Sequence, residues 1–245
     1  MNTKVAAASV IGARHQRAGR NGQDAAVVVT GDGVAIAVVC DGCSSGASSE
    51  VGARLGAMVF AQKLRAHLEA GDCVRERSVW EATRAEVAAL LAAAIGTNQI
   101  IDAQDVHDLL LFTIVAAAVT PEGAAVWALG DGAYAIDDHT HVLGPFANNE
   151  PPYLAYDLLG TAATAHFEVF DRATRIVVAT DGLEDLDRDF GVFAAPELVA
   201  HPDGLRRRLS QLARSDERID WRDQRIVRTP ALLQDDLAIA ILEVS

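Results

Sequence analysis

The chain has 245 residues, 50% of them hydrophobic, with a formal net charge of −13, a pI near 4.8 and a mean hydropathy of +0.15. That is enough apolar material for one large core or two small ones. The acidity argues against a reader of nucleic-acid backbones, three cysteines do not make a disulfide scaffold, and the longest apolar stretch, 109–119, is too short to span a bilayer as a helix.

Residues 4–12 read as an edge strand. Their apolar run precedes Arg14, His15, Arg17 and Arg20, the reverse of a secretory signal, so the start reads as mature and cytoplasmic. Strands at 25–29 and 34–40 are joined by Gly31-Asp32-Gly33 as a hairpin turn. A helix after Gly46 turns Val51, Leu55, Met58 and Val59 inward and ends at Gly71. A second opens on Ser78 and Glu81 at capping-box spacing, carries Trp80, Val87, Leu90, Leu91, Ala94 and Ile95 inward, and stops at Gly96. Residues 97–108 read as a loop.

A meander of strands follows at 109–119, 124–129 and 133–136, with Pro121-Glu122-Gly123 as its first turn. Residues 144–164, with paired Asn and Pro151-Pro152, read as a long surface excursion and a candidate flap, with Tyr153 and Tyr156 shaping access. Strands at 165–170 and 175–180, helical material around 194–214 and a last strand at 237–243 complete the chain. This order is not a regular βαβ alternation; it predicts an α+β fold of antiparallel sheets with paired helices packed on them.

Three apolar runs stop on Asp-Gly: AIAVVC before Asp41-Gly42, AAVWALG before Asp131-Gly132, and RIVVAT before Asp181-Gly182. A fourth acidic pair, Asp235-Asp236, opens LAIAIL. Any single Asp-Gly is more often a turn, as Asp32 and Asp203 are read here. Strand ends that deliver several carboxylates to one rim would hold hard divalent cations, the equipment phosphate-ester hydrolysis needs. Without a cation, convergence of Asp41, Asp181 and Asp235 should raise at least one carboxyl pKa.

Five segments in order resemble the metal-dependent protein phosphatases of the 2C type, in their shorter bacterial branch. They are Asn21-Gly22-Gln23-Asp24-Ala25; Val38-Val39-Cys40-Asp41-Gly42 with Ser49-Glu50; Ala128-Leu129-Gly130-Asp131-Gly132-Ala133-Tyr134; Ala179-Thr180-Asp181-Gly182-Leu183-Glu184-Asp185; and Asp235-Asp236-Leu237-Ala238-Ile239. The resemblance implies one domain over 1–245, an αββα sandwich of two antiparallel sheets flanked by helix pairs, and two Mn²⁺ or Mg²⁺ ions between the sheets. It implies that Asp41 bridges both ions, Gly42 lends its carbonyl, Asp181 and Asp235 hold the second ion, and Asp24 acts on the metals directly or through water. A third, weaker ion would sit near Asp131, Asp181 and Asp185. The implied activity is cytoplasmic hydrolysis of phosphoserine and phosphothreonine in proteins, the products of a Ser/Thr kinase, by a metal-bridging hydroxide. No nucleic acid or membrane partner is implied.

The chain departs from that family in places. Gln23 replaces a Glu, and Gly19 stands where an Arg usually grips phosphate, leaving Arg20, Arg17 or His15 for that role. Cys43 replaces a His proposed as general acid, which leaves proton transfer to water or His15. Only Thr113 remains of the usual Gly-Thr-Thr-Ala. The displaced Arg keeps open a second reading, a catalytically weak relative that binds phosphoproteins. Cys40 and Cys43 form a C-x-x-C, a third reading as a redox pair. A Cys-based phosphatase would need an Arg six residues after a Cys, an Asp-nucleophile phosphatase a second Asp at position 43, and an NTPase a Gly-rich phosphate loop; the chain has none of these.

Overall fold

The computed structural model describes residues 1–96 and 101–244, and among these are twelve strands, six α-helices and four 3₁₀ helices. One sheet has the order β1 (Thr3–Val10), β12 (Leu237–Val244), β9 (Arg175–Ala179), β6 (Gly132–Ile136), β7 (His139–Leu143). The other runs β2 (Ala25–Gly31), β3 (Val34–Gly42), β4 (Phe112–Thr120), β5 (Gly123–Leu129), β8 (His166–Phe170). Every pairing within them is antiparallel.

Successive side chains on a strand face opposite ways, and both faces of these strands are covered. On β3, Ile36, Val38 and Cys40 pack toward helices, while Ala35, Ala37 and Val39 meet Ala238, Ala240 and Leu242 of β12 between the sheets. Ile239 and Ile241 leave β12 on its other side to meet Leu205, Leu209 and Leu212 of α6 (Gly204–Leu212). This double burial explains the continuous apolar runs. The layers are the expected four, αββα.

The helix pair on the second sheet is α2 (Ser49–Glu69) and α3 (Arg77–Ile95). Its inner face is partly the expected one, with Leu55 and Val59 packed against the core. Val51 and Met58 are half exposed, whereas Gly52, Ala53, Gly56, Ala57 and Phe60 are buried. Small residues win because the backbone of α2 lies almost on β4: a Cβ at Gly56 would stand 2.3 Å from Phe112 Cζ. Gly56→Ala gains about 1 kcal/mol of helix propensity but overpacks a buried ring at about 1–3 kcal/mol. A net loss of about 1 kcal/mol is expected, read as a lower urea midpoint at unchanged m-value.

Other expectations shift for equally local reasons. Ser78 lies inside α3 and caps nothing; Glu81 accepts the indole N–H of Trp127 at 3.1 Å instead. Leu90 is exposed, as is Ala94. The loop expected at 97–108 contains a helix, α4 (Ala103–Leu109), capped by Asp102, which accepts the N–H of Gln104 at 2.8 Å; residues 97–100 lie outside the described part. The meander breaks after β5, because β6 joins the other sheet. The 144–164 excursion is pinned rather than loose: Leu154 and Ala155 are buried, and Arg84 holds both oxygens of Asp157 at 2.7 Å. A highly charged hairpin, β10 (Asp216–Asp220) and β11 (Arg225–Thr229), was not foreseen. The remaining α-helices are α1 (Ala13–Ala18) and α5 (Glu197–Ala200). Among the described residues no helix is long and apolar enough to cross a membrane.

Candidate metal centre

Five segments meet at one rim of the sandwich: the residues before β2, the end of β3, the crossing from β5 to β6, the turn after β9, and the residues before β12. They surround a cavity of about 430 Å³ lined by Asp24, Asp41, Gly42, Asp131, Asp181, Asp235 and Asp236, with His15 among them. A neighbouring recess of about 350 Å³ shares Asp131, Asp181 and Asp235.

The three Asp-Gly pairs have different physical causes. Gly132, with Gly130 before it, adopts a positive φ (116° and 102°) where the chain switches sheets; side chains rarely tolerate that conformation. Gly42 and Gly182 are close approaches. A Cβ on Gly182 would lie 1.9 Å from the carbonyl oxygen of Asp236, and one on Gly42 would lie 2.9 Å from that of Gln23. Only the Asp131 pair is a turn of the kind the sequence suggested.

Asp41 sits among the other carboxyls and feels the charges of Asp24, Asp181 and Asp131. Asp24 Oδ2 also accepts the Thr180 hydroxyl at 2.5 Å, and that hydroxyl oxygen takes the N–H of Ala238 at 2.9 Å. Burial, then the charges of Asp24 and Asp181, push Asp41 well above the usual carboxylate range. Burial and the charge of Asp236 do the same to Asp24 against the opposing Thr180 bond. Asp181 is pushed up to about 7, by burial and then by the charges of Asp131 and Asp235. Burial also raises Asp131. Mutual repulsion in a poorly solvated hole makes these groups hold protons, and a multivalent cation is the partner that lets them all ionise. Two buried oxygens point to the same need: Asp131 Oδ1 and Gln23 Oε1 have no hydrogen-bond partner. An all-oxygen donor set of this kind suits Mg²⁺ or Mn²⁺.

The Asp235-Asp236 pair divides its work. Asp235 faces the cavity, while Asp236 is 2% exposed and accepts the N–H of Gly12 and of Gln23, each at 2.7 Å. It thereby ties the segment around α1 to the start of β12. His15 Nδ1 lies 2.9 Å from Asp236 Oδ2 but makes no hydrogen bond there. His15, Asp235 and Asp236 bring donor atoms within 4.8 Å of one another.

Three expected site residues lie elsewhere. Arg20 does not line the cavity: α1 ends at Gly19 in a left-handed conformation (φ 63°), and Arg20 then donates to the carbonyl of Ser44 at 3.0 Å. Arg17 bonds Gln234 at 3.2 Å. The Arg14 guanidinium lies 3.9 Å from Asp235 Oδ2, and Arg188 lines the neighbouring recess. Asp185 is exposed and accepts the backbone N–H of Gln234 and Asp235 at 2.7 and 2.8 Å, positioning Asp235. Its neighbour Glu184 is the residue that lines the smaller recess and whose charge is felt by Asp131 and Asp181.

The cysteines do not behave as a redox pair. Cys40 is fully buried on the helix side, and burial with the charges of Asp24 and Asp41 pushes its thiol up, opposite to a reactive thiol. Cys43 lines the cavity; burial opposes, but hydrogen bonds with Ser45 and Tyr153 prevail and lower its pKa. Tyr153 and Tyr156 also line the cavity, their rings edge to face at 5.4 Å.

Residues 11–222 match the family model described as Protein phosphatase 2C. Serine/threonine phosphatase Stp1 from Staphylococcus aureus has a similar solved structure, with TM-score 0.61 at 14% identity over 100% of this chain and 96% of that one. PppA, described as a regulatory component of T6SS in Pseudomonas aeruginosa, gives 0.62 at 13% identity over 99% and 98%. RsbX, solved in complex with magnesium, gives 0.52 at 12% identity over 99% and 96%. At these identities the structural likeness speaks for the fold alone. No curated protein matches the chain in sequence.

Proposed function

This chain belongs to the protein phosphatase 2C family, and from that premise we propose that residues 1–245 form one catalytic domain, a cytoplasmic Mn²⁺- or Mg²⁺-dependent protein serine/threonine phosphatase. The observation that carries the reading is the convergence of Asp24, Asp41, Asp131, Asp181 and Asp235 on one cavity, with the buried Asp131 Oδ1 unpartnered. Asp41, with the Gly42 carbonyl, Asp24, Asp181 and Asp235, would hold two ions. Asp131 with Glu184, rather than with Asp185, would serve a third. Bound divalent ions supply an acidified water and charge neutralisation at the phosphoryl oxygens.

The protein's own contribution is positioning. Asp185 and Asp236 fix the segment that presents Asp235, and Thr180 orients Asp24. Arg14, two-thirds exposed at the rim, would swing from Asp235 to grip a phosphate oxygen pair. His15 would hand a proton to the leaving seryl or threonyl oxygen. The physiological substrates would be phosphoproteins made by a Ser/Thr kinase.

One observation favours a weaker relative that binds phosphoproteins without turning them over: among the described residues lining the acidic cavity there is no Arg or Lys. Hydrolysis of p-nitrophenyl phosphate and a phosphothreonine peptide separates the two readings. Turnover that requires Mn²⁺ and is abolished by EDTA supports the enzyme. Metal binding and phosphopeptide binding without turnover would support the binding module.

A further inference from the structure

Where the two sheets end, their edge strands look at each other. β7 closes one sheet and β8 the other. The sequences His139-Thr140-His141 and His166-Phe167-Glu168 have period-two spacing, so each strand puts both chemistry-bearing side chains on one face. These faces meet: His139 Nε2 lies 3.5 Å from Glu168 Oε1, and the rings of His141 and His166 stack at 4.7 Å. We propose that His139, His141 and Glu168 form a second metal site, suited to Zn²⁺ and independent of the acidic cavity, that bridges the open edge of the sandwich.

Geometry and donor type both support it. The ligand atoms of the three residues lie within 4.8 Å of one another. A tetrahedral zinc with bonds of about 2.0–2.1 Å sets its ligand atoms about 3.3 Å apart, so modest side-chain adjustment closes the site. Two imidazoles and one carboxylate are a known catalytic-type zinc set with a fourth position left for water. Imidazole favours zinc, copper or nickel over Mg²⁺ and Mn²⁺. None of the three residues lines the acidic cavity or its neighbouring recess.

Supporting side chains already orient the ligands. The Tyr134 hydroxyl donates to Glu168 Oε2. Having spent its one proton there, it accepts from His166 Nε2 at 2.8 Å. His166 therefore braces the tyrosine, and Glu168 keeps Oε1 for an ion. Tyr134 is itself fully buried, and its ring stacks on His141 at 5.2 Å. Outer partners of this kind usually hold metal ligands in place. His139 is 49% exposed, which gives an ion its path.

The test uses the full chain, equilibrated with Zn²⁺ and desalted. Bound zinc is counted for wild type, for His139→Ala/His141→Ala, and for the milder Glu168→Gln, with Co²⁺ as a spectroscopic substitute. The expected result is one zinc equivalent more in wild type than in the double variant. Tetrahedral Co²⁺ absorption and a Zn²⁺-induced rise in Tm should both be lost with that equivalent, and Glu168→Gln should bind at least about tenfold more weakly. The same extra equivalent should persist in Asp41→Asn. Circular dichroism and metal-free Tm show whether each variant is folded, and Glu168→Gln stands in if the double variant is not. Equal zinc in wild type and in the folded edge-strand variants, or loss of all zinc with Asp41→Asn, would overturn the proposal.

Discussion

Asp41→Asn is expected to lower Mn²⁺-dependent phosphate-ester hydrolysis by about 10²–10⁴-fold while the fold survives. The magnitude follows from the several kilocalories per mole that metal-borne charge stabilisation contributes, at 1.36 kcal/mol per tenfold. Asp41 is singled out because it ends β3 in the acidic cavity, where the charges of Asp24, Asp181 and Asp131 all act on it. Asn keeps the shape and one acceptor oxygen but loses the charge and one lone-pair-bearing oxygen, and a bridging role needs both. The fold should persist, since the change removes like-charge repulsion and leaves β3 otherwise intact. Two other acidic residues provide the contrast. Asp32 sits in the β2–β3 hairpin turn and Asp203 precedes α6, so Asp32→Asn and Asp203→Asn should change kcat/KM less than about twofold. If Asp41→Asn retained more than a tenth of wild-type kcat/KM at saturating Mn²⁺, the proposed role of this carboxyl would be wrong.

The second large effect is on stability without metal. Asp181 binds its proton more tightly in the folded chain, at about 7 against an ordinary 3.8. Below pH 3.8 the carboxyl is protonated in both states and the folded-state preference is fully present. As pH rises toward 7 the unfolded chain releases its proton first, so the folded state loses stability across that window, and the loss is complete above it. In EDTA at pH 8, Asp181→Asn should therefore be more stable than wild type by the order of 2 kcal/mol. For a chain of this size that is a Tm difference of about 4–8 °C. The gap should shrink at pH 5, and saturating Mn²⁺ should reverse it, because only the carboxylate binds the ion well. Thermal melts at the two pH values, with EDTA and with Mn²⁺, provide the measurement. A wild type as stable as the variant at pH 8 in EDTA would mean that these carboxyls are better solvated than their placement indicates.

Much of the centre was legible in the chain because its signals are local. An apolar run stopping on Asp-Gly marks a buried strand delivering a carboxylate, and three such runs pointed to Asp41, Asp131 and Asp181 before any topology was known. Residues whose meaning depends on what lies opposite were not legible. Asp236 looks like a twin of Asp235, yet it spends its oxygens on Gly12 and Gln23, some 210 residues away or more. Asp185 and Glu184 are neighbours on one turn, and only the path of the chain before β12 decides which faces the recess. Arg20 lies one residue past the place where the family's Arg is expected, and beyond the left-handed turn at Gly19 its guanidinium goes to Ser44. The His139/His141 and His166/Glu168 pairs were readable as period-two spacings. Their meeting was not, since nothing in either strand says that the two sheet edges face each other.

The sequence by itself determined the two-sided apolar strands, the acidic strand ends, the family and hence the four-layer fold, because burial period and turn chemistry are written residue by residue. Tertiary structure alone decided which faces pack and which charges meet. Gly52 and Gly56 replaced Val51 and Met58 on the inner face of α2 because the helix had to lie against Phe112. The carboxyl pKa values rise first because the stacked sheets bury these groups and then because five separate segments bring their like charges together, and neither happens in the unfolded chain.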